Sequence, residues 1–138
     1  MGASEFMTTV RAKTPAEAFK LAHDNAQYES GHGGYSGTAA EKHDFKFYAV
    51  PAGAREKTIR IFARAVTQYE DDLLVVRDQL EGEEEWAKAA AKRLRHAKTK
   101  WAKYPLAQAA RTWRDKWGPA VVLRLAKDLY LVFGLASD

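Results

Sequence analysis

The sequence predicts an α+β domain: an antiparallel sheet of about four strands, with an N-terminal helix and an inserted block of two to three helices. Three observations support this fold class. A segment near the N-terminus carries helix-capping residues, a long central tract has helical periodicity, and two separate segments are rich in aromatic and β-branched residues. Because these two segments are far apart in the chain, each is expected to form its own hairpin.

The 138 residues fit one domain, with 46% hydrophobic residues for a core. The absence of cysteine excludes disulfide scaffolds, thiolate metal sites and cysteine nucleophiles. No apolar run reaches the ~18 residues of a membrane span and no signal peptide opens the chain, so a cytoplasmic protein without membrane contact is expected. The opening MGASEF, residues 1–6, resembles a cloning remnant before a second methionine. We expect it to be mobile and the domain to comprise residues 7–138.

The first predicted element is a helix that begins within the segment TPAEAF. Thr14 can cap it, Pro15 suits its first position, and Glu17 completes a Thr-x-x-Glu capping box. Gly31 is a plausible stop after Ser30. The segment YSGTAAEKHDFKFYAV then predicts two short strands joined by AEKHD, because Phe45 and Phe47 alternate with polar neighbours.

The helical block is predicted over about residues 54–117. Its first helix, from Arg55 to Leu80, has apolar side chains at spacings of three and four, and Gly82 interrupts it. The second helix starts with three glutamates and ends with cations, as the helix dipole favours. Six side chains share one narrow arc of this helix, and its two tryptophans either anchor the helix to the core or pack against a partner: Trp86, Ala90, Leu94, Ala97, Trp101 and Tyr104. A third, shorter helix begins at Pro105.

The last predicted elements are two antiparallel strands after the helix-ending triplet WGP. The segment AVVLRLAKDLYLVFGLAS is rich in β-branched and aromatic residues, as strands are. Its polar pair Lys127 and Asp128 marks a tight turn at the centre. This is the second predicted hairpin.

Three segments resemble an uncharacterised family of small bacterial and phage proteins. They are GGYSGTAAEKHDF from Gly33 to Phe45, DKWGPAVVLRL from Asp115 to Leu125, and LYLVFGLAS from Leu129 to Ser137. These correspond to the family's Gly-Tyr-Ser-Gly-Thr loop, its Lys-Trp-Gly-Pro-Ala stretch and its closing Phe-Gly-x-Ala-Ser. The helical block lies outside the resemblance. The family has no established activity, so the resemblance implies an accessory protein of a phage or mobile element, acting in the host cytoplasm, without assigning functional residues.

The glycine-rich loop GHGGYSGT invites catalytic and phosphate-binding interpretations. A nucleophile elbow needs Gly-x-Ser-x-Gly, but Thr38 stands where the second glycine belongs. A phosphate loop needs a lysine and a following helix, and neither is present. Two alternatives stay open: a simple chain turn, and a nucleotide or anion site. The residues of that candidate ligand pocket are Tyr35, Ser36, Thr38, Lys116 and Trp117.

No catalytic residue, metal site or cofactor is predicted. His32, Glu41 and His43 are close in sequence, but a turn of mixed polar residues explains them equally well. The paired carboxylates Asp71 and Asp72 fit a solvated helix face, and nothing in the pattern gives them a shifted pKa. The sequence therefore favours a protein that is not an enzyme.

Charge is the strongest functional signal. Residues 86–117 contain ten lysines and arginines against one acidic residue, whereas residues 1–85 contain ten against fifteen. This concentration of cations predicts a non-enzymatic binding or regulatory protein that engages nucleic acid or an acidic protein surface, including that of a second copy. The alternative is a small nucleotide-binding protein with its site at the glycine-rich loop. The binding residues expected on the basic helix are Lys88, Lys92, Arg95, Lys98 and Lys103.

Overall fold

A computed structural model describes residues 2–30, 36–78 and 84–138. Within these ranges the fold is α+β, as predicted, with four strands and four α-helices. In chain order the elements are β1 (Ala3–Arg11), α1 (Pro15–Ser30), a short 3-10 helix (Ala39–Glu41), β2 (Phe45–Phe47), α2 (Glu56–Asp78), α3 (Glu84–Lys100), α4 (Leu106–Arg114), β3 (Ala120–Ala126) and β4 (Leu129–Ser137).

The sheet has the strand order β1-β4-β3-β2. Strand β4 is central and pairs antiparallel with β1 on one side and with β3 on the other. The same residues of β4 pair on both sides: Val132 lies opposite Thr8 of β1 and opposite Val122 of β3. The short strand β2 is the edge strand next to β3 and runs parallel to it.

Helices cover both faces of the sheet. Leu123 and Phe133 belong to one apolar cluster with residues of α2 and α4, while Val122 and Val132 belong to a second cluster with residues of α1. Because neighbouring side chains of β3 and β4 are buried on opposite faces, these strands are nearly continuous apolar runs in the sequence. The hairpin predicted around Lys127 and Asp128 is confirmed, with β3 and β4 meeting at that turn.

The N-terminal helix begins where its capping residues predict. The backbone N–H of Glu17 donates to the hydroxyl of Thr14 over 3.1 Å, so Thr14 satisfies one amide of the first turn. The helical block is also confirmed, with three helices among its described residues. The position of this block between β2 and β3 determines the direction in which these two strands pair.

The first predicted hairpin is wrong. Thr38 is the N-cap of the 3-10 helix Ala39–Glu41, so the expected first strand is absent from the described part of this region. The chain between β2 and β3 is the whole helical block. That long crossover returns the chain to the same end of the sheet, and β2 and β3 are therefore parallel.

The fourth strand comes from the N-terminus instead. The expectation that residues 1–6 stay mobile and outside the fold is wrong for Ala3–Phe6, which form the first part of β1. Ala3 pairs with Ser137 and Arg11 with Leu129, so β1 follows β4 along its full length. The backbone hydrogen bonds available at the edge of β4 override the weak side-chain pattern of this segment.

Candidate functional site

Helix α3 lies at the periphery of the molecule, where it packs on α2. Its side chains Ala90 and Leu94 are buried, and Trp101 just after the helix is 4% exposed. The Trp101 ring lies 5.4 Å from that of Phe62 on α2, centroid to centroid. Most of the remaining circumference of α3 faces solvent.

All five predicted binding residues are exposed on this side of the molecule. Lys88, Lys92, Arg95 and Lys98 project from α3 within an arc of about 120° at 100° per residue. Lys103 follows in the turn after the helix. Lys88 lies 3.9 Å from Glu85, a long and exposed ion pair, while the other four form no ion pair with any residue that the structure describes. We call these five residues the outer cations.

Arg93 has a different role from the outer cations. Its guanidinium donates from Nη2 to Asp72 Oδ1 over 2.8 Å and from Nε to both carboxylate oxygens over 3.1 Å. Asp72 is buried and also accepts a hydrogen bond from the side chain of Gln68. Hydrogen bonding to Asp72 raises the pKa of Arg93 above its ordinary value. This pair joins α3 to α2, so Arg93 stabilises the helix pair.

An open groove of about 650 Å³ runs between α2 and α3, on the other flank of α3 from most of the outer cations. Its apolar lining is Ile61, Ala65, Tyr69, Leu94, Ala97 and Trp101, and its cationic lining includes Arg64, Lys92 and Lys100. Asp72 is the carboxylate among the described lining residues, and Arg93 binds it. The groove therefore combines an apolar floor with a cationic rim. We call it the α2/α3 groove.

Two large apolar side chains near this flank are exposed. Ile61 at one end of the groove is 44% exposed, and Trp86 in the first turn of α3 is 72% exposed. Trp86 therefore does not anchor α3 to the core. In the helical register Trp86 falls at the edge of the buried arc, on the same flank as Arg93 and Ala97, and it stands close to the start of the helix. Exposed apolar side chains of this size often mark interaction surfaces.

The glycine-rich loop uses its hydroxyl groups internally. Tyr35 lies outside the described residues. The Ser36 hydroxyl lies 2.7 Å from Glu41 Oε2 and 2.8 Å from the Thr38 hydroxyl, while Thr38 accepts from the backbone N–H of Ala40. Gly37 has φ +72°, and a Cβ there would lie 2.9 Å from that of Ser4, so this turn requires glycine.

Lys42 spans the distance between this loop and the turn that contains Lys116 and Trp117. It is 1% exposed, and its ammonium donates to the carbonyl oxygens of Asp115, Lys116 and Gly118 over 3.0, 3.2 and 3.0 Å. Burial lowers the pKa of Lys42 to about 8, an effect that the Asp115 carboxylate partly offsets. With three protons donated to three carbonyls, Lys42 connects two segments of the fold and has no proton left for a ligand.

The structure thus brings the four described residues of the predicted ligand pocket, Ser36, Thr38, Lys116 and Trp117, to the end of the sheet where β4 finishes and β3 begins. The Lys116 ammonium lies 5.3 Å from the centre of the Trp117 ring, and Trp117 is 64% exposed. Sequence reasoning missed Lys42 because a lysine in a polar connection is usually solvated. It also missed Ile61, although this isoleucine falls off the apolar stripe of α2, and such an off-stripe position signals a second apolar flank.

The described residues contain neither a metal-binding cluster nor a membrane-spanning helix. Residues 2–30, 36–78 and 84–138 contain no group of three His, Asp or Glu side chains placed to hold a metal ion, and His32 lies outside these ranges. No helix in the described part of the chain is long and apolar enough to cross a bilayer.

Comparison with protein-family models, curated proteins and solved structures finds no match for this chain. What the protein does therefore has to be inferred from its own surfaces.

Proposed function

We propose that this protein is a non-enzymatic binding protein that engages an acidic protein surface through α3. The observation that carries the proposal is the combination of the outer cations with an apolar flank on the same peripheral helix. Cations alone speed the encounter with an acidic surface, whereas exposed apolar side chains such as Trp86 and Ile61 supply contacts that persist after docking. The resemblance to phage proteins would make the partner a host protein.

Nucleic acid is the second candidate partner. The arc of outer cations contains no exposed aromatic side chain, and a convex row of cations of this kind suits contact with phosphates without reading of bases. A nucleotide at the glycine-rich loop stays a prediction. An increase in melting temperature with millimolar nucleotide would support that alternative.

The test reverses three outer cations in the variant K92E/R95E/K98E. Its matched control, K13E/K20E/K57E, makes the same change in net charge at exposed lysines elsewhere. Both variants are compared with the unaltered chain for capture of proteins from nuclease-treated host lysate. Binding to labelled DNA and RNA duplexes is measured in parallel at low and high salt.

We expect the α3 variant to lose the captured protein and the control to keep it. Duplex binding that weakens roughly a hundredfold between 50 and 200 mM salt and disappears in the α3 variant would favour nucleic acid instead. If the α3 variant and its control behave alike in both assays, α3 is not the binding surface and the proposal is wrong.

A further inference from the structure

The α2/α3 groove has features that the outer cations do not explain. Its floor is apolar, Ile61 at its end is 44% exposed, and its volume is about 650 Å³. We propose that this groove docks an acidic amphipathic helix of the partner protein. The inference rests on the proposed function and specifies what part of the partner is recognised and where.

The walls of the groove favour a helical occupant. Both walls are α-helices, whose backbone N–H and C=O groups are already paired within α2 and α3. An extended peptide would find no strand edge to pair with and would leave its own backbone groups unsatisfied. A helix satisfies its backbone internally. It can place one apolar stripe against the half-buried Ala65 and Ala97, whose small side chains permit close approach.

The rim of the groove favours acidic residues. Arg64, Lys92 and Lys100 line it, and the one carboxylate among the described lining residues, Asp72, is held by Arg93. Arg64 has a long contact with Glu5 at 3.5 Å, and Lys100 lies 5.1 Å from the centre of the Trp101 ring. These exposed arrangements are weak and can be exchanged for carboxylates of a partner. Charge complementarity therefore places Asp and Glu beside the apolar stripe of the docked helix.

The dimensions of the groove set the length of the helix. Along α3 the lining runs from Lys92 to Trp101, which corresponds to about 14 Å at 1.5 Å per residue. Trp86 lies about 9 Å further along the same helix. An occupant of about four turns would cover the floor and reach the exposed indole of Trp86. Apolar anchors at positions i, i+3 or i+4, and i+7 match this span.

The test uses a synthetic helical peptide of about 18 residues, with a leucine row, glutamates on both flanks, and alanine and glutamine elsewhere. Its control peptide carries lysine in place of every glutamate. Binding is measured by fluorescence anisotropy of the labelled peptide and by backbone amide shifts of the isotope-labelled protein. The protein variants are A97F, which fills the floor, and I61D, which puts an anion at an exposed end. The matched control K98E/K103E changes cations outside the groove.

We expect the acidic peptide to bind, with amide shifts that follow the α2/α3 groove, and the lysine peptide to give none. A97F and I61D should each weaken binding at least tenfold, and K98E/K103E about twofold at physiological salt. Circular dichroism checks that A97F folds. If A97F does not fold, I61D tests the inference instead, because it changes an exposed position.

Several outcomes would overturn the inference. Peptide binding could be undetectable at 1 mM, or unaffected by A97F and I61D. A97F could abolish duplex binding, which would assign the groove to nucleic acid. A dimer of the unaltered chain could become a monomer in A97F, which would assign the groove to a second copy.

Loss of the lysate partner in K92E/R95E/K98E but not in A97F would keep the proposed function while rejecting the groove. If the peptide binds in the groove but K92E/R95E/K98E captures as much partner as the unaltered chain, the groove is kept and the proposed function is rejected.

Discussion

At the scale of single residues, Lys42 shows how a charged group can hold two distant segments together. Its ammonium is buried and donates to three carbonyl oxygens of the turn from Asp115 to Gly118. Desolvation disfavours the charged form, whereas the hydrogen bonds require it. Because these two effects act on the charged form in opposite directions, Lys42 makes the stability of the folded protein depend on pH.

The sign of that dependence follows from the pKa of Lys42, which is about 8 in the folded protein and 10.5 as an ordinary value. Between these values the unfolded chain binds more protons than the native one, so the free energy of unfolding should rise with pH. The full rise corresponds to about 3 kcal/mol. Urea titrations from pH 7 to pH 10.5 should show it in the unaltered protein and not in K42M. Parallel pH profiles for the two proteins would contradict the prediction.

Lys42 also shows why part of the candidate site could not be predicted from sequence. Lysine in the segment AEKHD has the composition of a solvated turn, and nothing local indicates that Gly118 will lie beside it. The exposed cations of α3 were predictable, because the identity of a residue and its helical register suffice for a surface position. The α2/α3 groove was not, since it depends on how two helices separate around Asp72 and Arg93.

At the scale of elements, the helices were more predictable than the strands. Helix α1 has its start signal in adjacent residues, where the Thr14 hydroxyl caps Glu17. Strand β1 has no comparable local signal, and the alternation of Phe45 and Phe47 indicates β2 but not its partner. The partners lie far away in the sequence: Ala3 pairs with Ser137, and Phe45 with Ala120. The direction of β2 depends on where the crossover returns, which no short segment encodes.

The hairpin turn between β3 and β4 gives a prediction at this scale. Asp128 has φ +56°, a left-handed conformation that glycine adopts without the Cβ clash that other residues suffer. We therefore expect D128G to be more stable than D128A by about 1 kcal/mol, measured by urea unfolding. The order should reverse at the exposed helical position Ala89, where A89G should lose about 1 kcal/mol. Equal stabilities of D128G and D128A would show that the turn adopts another conformation in solution.

At the scale of the whole molecule, the sheet separates two surfaces of different character. The face covered by α1 contains the cluster around Val122 and Tyr130, and the opposite face supports the helical block that carries the outer cations. The block packs on the sheet mainly through α2 and α4, while α3 joins the core cluster through Leu94 and turns its cations to solvent. Binding at α3 and stability of the sheet should therefore be largely separable by mutation.

The N-terminal strand contributes to the stability of the sheet itself. Phe6 of β1 lies opposite Gly134 of β4, and its ring is 3.3 Å from the place where a Cβ of residue 134 would stand. Deletion of residues 2–6 removes this cover and half of the β1–β4 ladder. We expect a loss of about 2 kcal/mol, seen as a melting temperature lower by several degrees.

The variant F6A separates the two causes of this loss. It removes the ring but keeps the backbone pairing from Ala3 to Met7, so it should lose less than the deletion. Capture of the partner by α3 should be unchanged in F6A at temperatures where it is folded, because Phe6 packs in the cluster on the α1 face of the sheet, opposite the helical block. The deletion also removes Glu5, which contacts the groove residue Arg64, so F6A alone serves for this comparison. A deletion variant that melts at the same temperature as the full chain would show that Ala3–Phe6 is unpaired in solution, and the sheet would then begin at Met7.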